Sequence, residues 1–358
     1  MKGMINVISV GQAGNRIGQK FELFGVPTCY INSDSVDMRG LAVDATNMFL
    51  LDGRGTGGST VQGARILKGH RAELIDFLGK HLNPDVINMV VFGLGGGTGG
   101  SIGPAILEYL IAHKYKTACL TVLPQKMLGI LAGENAMKTL KQLKEYDLSL
   151  FMLADNEHLV NKIGINTNWW ERVNEHIVGE VASVFNIISP EKISQTGIGS
   201  IDRGELMRIM QYGKGLTDVR TIYLNTTDLR GTEAEISAKL YTSSLIEGYN
   251  YKDTLAYLVS IDTPQRGNYT QISKHIFDTT KKVAGSAISR LGMFTDPNLS
   301  DVVRVTMANA GLKLPKVLQS RINNLKRDGE RFLKKKGKEE SISIISLEEN
   351  VIEENFKL

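Results

Sequence analysis

An α/β fold built around a parallel sheet is predicted by three features of the 358-residue chain. Short apolar runs typical of buried strands recur through the first 160 residues, segments with helical spacing separate them, and glycine-rich loops follow several runs. Strands that alternate with helices form βαβ units, which place a parallel sheet between layers of helices. The apolar runs cover residues 4–10, 26–32, 86–93, 117–123 and 148–154, and the helical patterns cover about 15–24, 62–80, the segment after Ser101 and 169–189.

A second, smaller α/β domain is predicted after these units. The region from about 206 to 310 mixes helical segments with strand-like runs such as Thr221–Leu224 and Thr254–Ile261. Apolar residues at near-helical spacing then predict an amphipathic C-terminal helix. These residues are Leu318, Ile322, Leu325 and Phe332.

Composition places the chain among ordinary globular proteins, with 42% hydrophobic and 22% charged residues. The net charge of +4 is too small to predict nucleic-acid binding by the whole surface. Cys29 and Cys119 both fall in apolar runs, so we expect two reduced, buried thiols rather than a disulfide. The six histidines are scattered and no CxxC or HExxH spacing occurs, so no metal site built by the protein is expected.

Hydropathy predicts a soluble, cytoplasmic protein without a membrane partner. No apolar stretch approaches the ~20 residues that span a bilayer. The N-terminal run, residues 4–10, is too short for the core of a signal peptide and passes directly into a glycine-rich turn.

The segment Gly93–Ser101 contains six glycines in nine residues and lies between a predicted strand and a predicted helix. Such a loop lets backbone N–H groups converge on one anion at a helix N-terminus, and the Thr98 hydroxyl adds a donor. It is not a Walker A loop, because no Lys-Ser/Thr pair follows. A tight strand-to-helix turn would explain one or two of the glycines but not six. The predicted phosphate contacts are Gly95, Gly96, Gly97, Thr98, Gly99 and Gly100.

Two further glycine loops indicate the same chemistry more weakly. Gly11–Asn15 also joins a strand to a helix, but its glycines do not have the GxGxxG spacing of dinucleotide-binding folds. Asp34 lies where such a fold has its ribose-binding acid, so an NAD-dependent oxidoreductase is kept as an alternative. Gly53–Gly58 is either a flexible loop or a cover over a terminal phosphate. The nucleotide contacts predicted here are Gly11, Gln12, Ala13, Gly14, Asn15, Asp34, Gly57 and Gly58.

The glycine loops belong to a series of five short motifs within residues 5–205. The motifs are Gly11-Gln-Ala-Gly-Asn-Arg-Ile-Gly18, Gly95-Gly-Gly-Thr-Gly99, Asp155-Asn-Glu-His-Leu159, Trp170-Glu-Arg-Val-Asn174 and Ser200-Ile-Asp-Arg-Gly-Glu205. In sequence and in order, the series resembles the tubulin/FtsZ superfamily of GTPases. Gly100 and Ser101 replace the family's usual small residue and final glycine, and Ser200 stands where an asparagine is usual.

The resemblance implies a GTPase that assembles head-to-tail into filaments and hydrolyses GTP between subunits. It implies a Rossmann-like parallel-sheet GTPase domain, a long central helix, a smaller α/β activation domain that carries the catalytic loop, and a C-terminal helix and tail. The corresponding boundaries are 1–160, 161–190, 191–310, 311–338 for a basic helix and 339–358 for an acidic tail.

Base recognition is assigned by the resemblance to three residues. Trp170 and Asn174 lie one helical turn apart, so both face one side of a helix, and an indole can stack on a purine. Asn156 and Asn174 each offer an amide donor and an acceptor, which together match the edge of guanine and leave adenine unpaired. Core packing of the tryptophan and helix capping by Asn156 are the alternatives.

Catalysis is assigned by the resemblance to Asp202 and Glu205, which in this family reach the nucleotide pocket of the next subunit and position water. The alternative is an exposed pair in which Asp202 caps the following helix. Mg²⁺ bridging the phosphates is implied, with few or no direct protein ligands.

The C-terminal segment changes sign abruptly, with ten Lys or Arg against two acids over 313–338, then six Glu against one Lys over 339–358. Together with the tubulin-like motifs, this most resembles TubZ, the plasmid and phage DNA-partition branch, in which the terminus contacts a DNA-bound adaptor protein. Competing interpretations are an FtsZ-type division GTPase and a DNA-binding protein without enzymatic activity that acts through the basic terminus.

Overall fold

The computed structural model describes residues 3–164, 168–187, 201–212, 215–225, 233–265, 269–324 and 327. They fall into two compact units. The N-terminal unit consists of the residues up to Asp147, the segment Ala154–Glu175 and the segment that begins at Lys316. The second unit consists of Leu148–Leu153 and His176–Pro315.

A six-stranded sheet has the strand order β3-β2-β1-β4-β5-β6. The pairs β1–β2, β1–β4, β2–β3 and β4–β5 are parallel, as predicted. Strands β1 and β5 are buried along their whole length, which explains their continuous apolar sequences. The strands are β1 (Ile5–Val10), β2 (Thr28–Asp34), β3 (Met48–Gly53), β4 (Ile87–Gly93), β5 (Thr117–Leu123) and β6 (Leu150–Asp155).

Two of the helices that accompany this sheet begin earlier than the sequence patterns predict, whereas α8 begins at the predicted residue, Trp169. Helix α1 begins at Gly11 rather than about Asn15, and α5 begins at Gly97 rather than after Ser101. The predicted helix 62–80 is two helices that meet at His70. The helices are α1 (Gly11–Leu23), α2 (Ser35–Arg39), α3 (Thr60–Gly69), α4 (Arg71–His81), α5 (Gly97–Ala112), α6 (Gly129–Leu143), α7 (Asn156–Ile163) and α8 (Trp169–Ile187).

Close packing explains why glycines open these helices. A Cβ on Gly14 of α1 would overlap the carbonyl oxygen of Val91 on β4. A Cβ on Gly99 of α5 would lie 2.6 Å from the carbonyl oxygen of Gly93. The low helix propensity of glycine is therefore outweighed by the approach of each helix to the sheet.

The second unit contains a four-stranded sheet in the order β7-β10-β8-β9, in agreement with the predicted smaller α/β domain. Strand β10 is antiparallel to β7 and β8, whereas β8 and β9 are parallel. Side chains from this sheet and two helices form one apolar core, among them Ile222, Ile236, Ile276 and Val305. The elements are α9 (Arg203–Tyr212), β7 (Leu216–Asn225), α10 (Glu233–Leu240), β8 (Ala256–Thr263), α11 (Thr270–Ala284), β9 (Ile288–Thr295) and β10 (Val302–Leu312).

A C-terminal helix, α12, runs through residues 316–324. Leu318 and Ile322 are buried, as the amphipathic pattern predicts. Leu325, Phe332 and the predicted acidic tail 339–358 lie outside the described residues.

Both cysteines are free and buried, as expected. Burial raises the pKa of the Cys29 thiol to about 12, so this thiol stays protonated and unreactive at neutral pH. Within the described ranges, no helix is long and apolar enough to cross a membrane.

Candidate functional site

A cleft of about 510 Å³ lies where β1 passes into α1 and β4 passes into α5, at the carboxyl ends of the strands. This volume is within the range of small-molecule sites, and the position is the usual one for ligands of parallel α/β sheets. We call it the glycine cleft. Twelve of the predicted site residues line it: Gly11, Gln12, Ala13, Asp34, Gly57, Gly58, Gly95, Gly96, Gly97, Thr98, Gly99 and Asn156.

Two helix N-termini meet the glycine cleft, because α1 begins at Gly11 and α5 begins at Gly97. The N-cap residues, Val10 and Gly96, make no side-chain capping hydrogen bond. The first N–H groups of both helices are therefore available to an anion, and both helix dipoles favour negative charge there. No lysine or arginine is among the described residues that line the cleft. The cleft thus offers an anion backbone donors rather than cationic side chains.

The three glycine loops pack on each other so closely that side chains are excluded. A Cβ on Gly97 would overlap the Thr56 hydroxyl and would lie 2.8 Å from the backbone of Gly58. A Cβ on Gly11 would lie 3.0 Å from the amide nitrogen of Gly99. A Cβ on Gly96, by contrast, would meet nothing within 4 Å, so this backbone faces open space. The loops therefore form a tightly packed cradle of backbone atoms with one open side at Gly96, the kind of surface that can hold an anion.

Asn135 on α6 connects two of these loops, a role that sequence reasoning missed. Its Nδ2 donates to the carbonyl oxygen of Gly58 at 2.8 Å and to that of Gly95 at 3.0 Å. The side chain is only 4% exposed. Because each donor is used once, Asn135 fixes the distance between the Gly53–Gly58 loop and the Gly93–Ser101 loop.

Polar side chains at the cleft are already engaged with each other. The hydroxyls of Thr98 and Ser33 are 2.7 Å apart and share one hydrogen bond. Gln12 donates from Nε2 to Oδ1 of Asp37 at 2.7 Å. Asp34 caps α2 by accepting from the Val36 amide at 2.7 Å. These pairs hold the walls of the cleft. Five further lining residues carry no motif from which the sequence could have predicted them: Asp37, Pro124, Leu128, Leu131 and Ala132.

Three predicted contacts lie behind the cleft rather than in its lining. Asn15 is 1% exposed and accepts a hydrogen bond from Ser9 at 3.1 Å. Gly14 packs on β4, and Gly100 packs between Thr139 and Thr60. In this geometry these residues support the loops.

Trp170 and Asn174 line a second depression of about 690 Å³, together with residues of α1 from Arg16 to Leu23. We call it the Trp170 groove. Trp170 is 37% exposed, so part of it is accessible in this groove. Lys20 and Glu175 form an ion pair of 2.8 Å between α1 and α8. The structure thus brings Trp170 and Asn174 together, whereas Asn156 lies in the glycine cleft; α1 borders both.

Asp202 and Glu205 lie in the second unit, at the start of α9. Asp202 is exposed, whereas the Glu205 side chain is 24% exposed and its Oε1 is 3.0 Å from Nη2 of Arg290 on β9. Among the described residues, no group of three or more His, Cys, Asp or Glu side chains is arranged to hold a metal ion.

A parallel sheet with glycine loops and two uncapped helix N-termini at one cleft defines a nucleoside-phosphate-binding domain. Residues 4–164, which contain every loop of this cleft, match the model of the Tubulin/FtsZ family, GTPase domain. The chain therefore carries a GTPase domain of the tubulin/FtsZ family.

Similar proteins cover nearly the whole chain. The Tubulin-like protein CetZ of Pyrococcus horikoshii is 24% identical over 345 residues, which cover 92% of this chain and 91% of that protein. Cell division protein FtsZ 1 of Methanocaldococcus jannaschii is 23% identical and covers 87% of this chain and 84% of its own length.

Solved structures with the same fold include two protofilaments. The GTPγS-bound protofilament of CetZ2 from Haloferax volcanii has a TM-score of 0.77 at 19% identity and covers 92% of this chain and 99% of that one. The GTPγS-form protofilament of TubZ from Bacillus thuringiensis serovar israelensis has a TM-score of 0.76 at 18% identity, with coverages of 93% and 92%. At these identities the likeness establishes the fold.

Proposed function

We propose that this chain polymerises head-to-tail into dynamic filaments and hydrolyses GTP at the junction between subunits. The observation that carries the proposal is the pair of uncapped helix N-termini, at Gly11 and Gly97, in a cleft whose described lining has no cationic side chain. Such a cleft suits a polyphosphate held by backbone donors. The named relatives that share the fold include two GTPγS-form protofilaments.

The triphosphate would lie in the glycine cleft, with Gly57 and Gly58 over the terminal phosphate. The base would follow α1 to the Trp170 groove, stack on Trp170 and pair with Asn174, while Asn156 approaches from the cleft. Guanine satisfies these amides and adenine does not, and the unpaired groups supply the selectivity.

Hydrolysis would use Asp202 and Glu205 of the next subunit, whose carboxylates position water for attack on the terminal phosphate. Phosphoryl transfer depends mainly on positioning and charge neutralisation, so carboxylates that arrive on assembly act as a switch. Mg²⁺ held by phosphate oxygens, with few or no direct protein ligands, would supply charge neutralisation in a cleft without lysine or arginine among its described lining.

Exposed apolar side chains beside the cleft support self-assembly. Met127, Leu128 and Leu131 are 80%, 60% and 51% exposed, and the latter two line the glycine cleft. Contiguous exposed apolar residues are typical of protein contact sites. A contact between two different surfaces of one subunit does not close on itself and therefore propagates a filament.

The biological role proposed for the filament is plasmid or phage DNA segregation, as in the TubZ branch. The basic segment 311–338 and the acidic segment 339–358 would bind a DNA-bound adaptor protein, and many such segments on one filament would supply avidity. The alternative role is cell division, since one relative is named Cell division protein FtsZ 1.

Pelleting and light scattering with GTP, ATP and NAD, combined with phosphate release, test the enzymatic proposal. We expect polymer and phosphate with GTP alone, and a turnover per subunit that rises steeply above a critical protein concentration. Turnover that stays constant on dilution below the assembly threshold contradicts a site shared between subunits.

Truncation after Gly337 tests whether the C-terminal segment binds the adaptor protein. We expect GTP hydrolysis and assembly to persist, while the filament no longer co-pellets adaptor-coated DNA. Equal co-pelleting by the truncated and full-length filaments would place the adaptor site elsewhere.

A further inference from the structure

A largely buried bidentate ion pair joins the C-terminal helix to the end of β6. Nη1 and Nη2 of Arg321 on α12 donate to Oδ2 and Oδ1 of Asp155 at 2.9 and 2.7 Å. The two side chains are 12% and 4% exposed. A planar guanidinium that grips both oxygens of a carboxylate fixes orientation as well as distance.

The same aspartate determines where α7 begins. Oδ1 of Asp155 accepts from the Glu157 amide at 3.1 Å and so caps the first turn. The first residue of that turn is Asn156, which lines the glycine cleft. The carboxylate gripped by Arg321 is therefore one residue away from a side chain in the nucleotide site.

Glu157, the residue after Asn156, contacts a segment that reaches another wall of the cleft. Oε2 of Glu157 accepts from the backbone amide of Lys126 at 3.1 Å. Lys126 opens a single helical turn that ends at Leu128, a lining residue of the cleft. Three consecutive residues thus connect α12 to two parts of the cleft: Asp155, Asn156 and Glu157.

We propose that Arg321 is a positioning residue for nucleotide recognition, which acts through Asp155 to align the Asn156 amide with the guanine base. The inference rests on the proposed role of Asn156 in reading guanine. Without the guanidinium, the buried Asp155 carboxylate loses its ionic partner and is left as an uncompensated charge. The cap of α7 and the direction of the Asn156 side chain then change together. A partner that moves α12 would alter nucleotide affinity by the same route.

Affinity for GTP and for inosine triphosphate, which lacks the 2-amino group of guanine, tests the proposal in the full-length protein. The variants are Arg321→Ala, Arg321→Lys, Asn156→Ala and the double variant Arg321→Ala/Asn156→Ala. The control is Lys316→Ala, which removes a positive charge from an exposed position of the same helix. Thermal unfolding of each variant reports whether it is folded.

We expect wild type and Lys316→Ala to prefer GTP over inosine triphosphate equally. Arg321→Ala should weaken GTP binding about tenfold and bring the GTP-to-inosine ratio of affinities towards one. Arg321→Lys keeps the charge but not the bidentate hydrogen bonds, so its preference for GTP over inosine triphosphate should fall only in part. This variant tests the proposal if Arg321→Ala does not fold. In the Asn156→Ala background, Arg321→Ala should leave the ratio unchanged, since contacting residues that act as one unit are not additive.

An unchanged ratio in folded Arg321 variants, or an equal change in the Asn156→Ala background, would overturn the positioning role. A wild-type protein that binds GTP, ATP and inosine triphosphate equally would instead overturn the proposed reading of guanine. The two failures are therefore distinguishable.

Discussion

Asp202 and Glu205 close a reciprocal capping box at the start of α9. Oδ1 of Asp202 accepts from the Glu205 amide at 2.7 Å, and Oε2 of Glu205 accepts from the Asp202 amide at 3.3 Å. This arrangement satisfies two N–H groups that the first helical turn leaves unpaired. The capping alternative raised by the sequence is therefore real, and a test of catalysis must separate charge from capping.

Asp202→Asn makes that separation, because asparagine caps a helix as well as aspartate does but carries no charge. If Asp202 positions water in the neighbouring subunit, Asp202→Asn and Asp202→Ala should both lower GTP turnover by about 100-fold or more while nucleotide binding persists. Only the alanine variant should lose stability, by about 1 kcal/mol. Phosphate release and urea unfolding measure the two effects. Wild-type turnover in Asp202→Asn would reduce the residue to a helix cap.

Asn174→Asp should weaken GTP binding, because the amide donors of a groove residue become a carboxylate that only accepts. We expect a loss of about tenfold or more in affinity, measured by competition titration. Repulsion between the new carboxylate and the phosphates affects GTP and ATP alike, whereas the lost pairing with the base affects GTP alone. The loss of affinity should therefore be larger for GTP than for ATP. Equal affinity of the wild type for GTP and ATP would contradict the assignment of Asn174 to the base.

Asn135→Asp should loosen the loops on which the phosphate site depends. The two carbonyl oxygens that Asn135 now binds, those of Gly58 and Gly95, would face a carboxylate that donates nothing. Relative to wild type, we expect the affinity for GTP to fall more than the affinity for GDP, since the Gly53–Gly58 loop is proposed to cover the terminal phosphate. Lys141→Ala, at an exposed position of the same helix, is the control and should change neither affinity.

Gly63→Ala should destabilise the N-terminal unit, because a Cβ there would overlap the Ser101 hydroxyl and lie 3.0 Å from the Gly97 carbonyl oxygen. Overpacking of this kind costs about 1–3 kcal/mol. Gly69→Ala in the same helix meets nothing within 4 Å and should be neutral or stabilising. Adding Ser101→Ala to Gly63→Ala should restore part of the loss. Urea unfolding measures all of these, and equal stability of the Gly63 and Gly69 variants would refute the clash.

The second unit should become less stable as the pH rises from about 4 to about 7, because the buried Asp218 carboxyl loses its proton over this range. Burial is the largest effect and raises the pKa of its carboxyl to about 6. Hydrogen bonds from Ser243 and Tyr251 and the charge of Arg220 lower this pKa, whereas the charge of Glu180 raises it. The folded state therefore binds this proton more tightly than the unfolded state. Its stabilising contribution is complete below about pH 4 and lost as the pH rises through about 6.

The comparison of wild type with Asp218→Asn isolates this group, because asparagine does not titrate. Between about pH 4 and pH 7 the wild type should lose about 3 kcal/mol of unfolding free energy relative to the variant. Unfolding in urea across this range measures the difference. A constant difference between the two proteins would contradict the raised pKa.

The sequence by itself determined the features that depend on neighbouring residues. Continuous apolar runs identified β1, β4 and β5 because both faces of a parallel strand are buried, and each run spans a strand. The density of glycine predicted the glycine cleft, because closely packed backbones exclude side chains. The five motifs predicted the family that residues 4–164 match.

Only the tertiary structure decided which distant side chains support that cleft. Asn135 reaches carbonyl groups 77 and 40 residues away, and Arg321 reaches Asp155 across 166 residues. An asparagine in a helix and an arginine in a basic segment look like ordinary solvated residues, since no local pattern distinguishes a buried partner from an exposed one. The beginnings of α1 and α5 were misplaced for a related reason. Glycine opposes a helix locally, and only the backbone of β4 against Gly14 and Gly99 makes it the residue that fits.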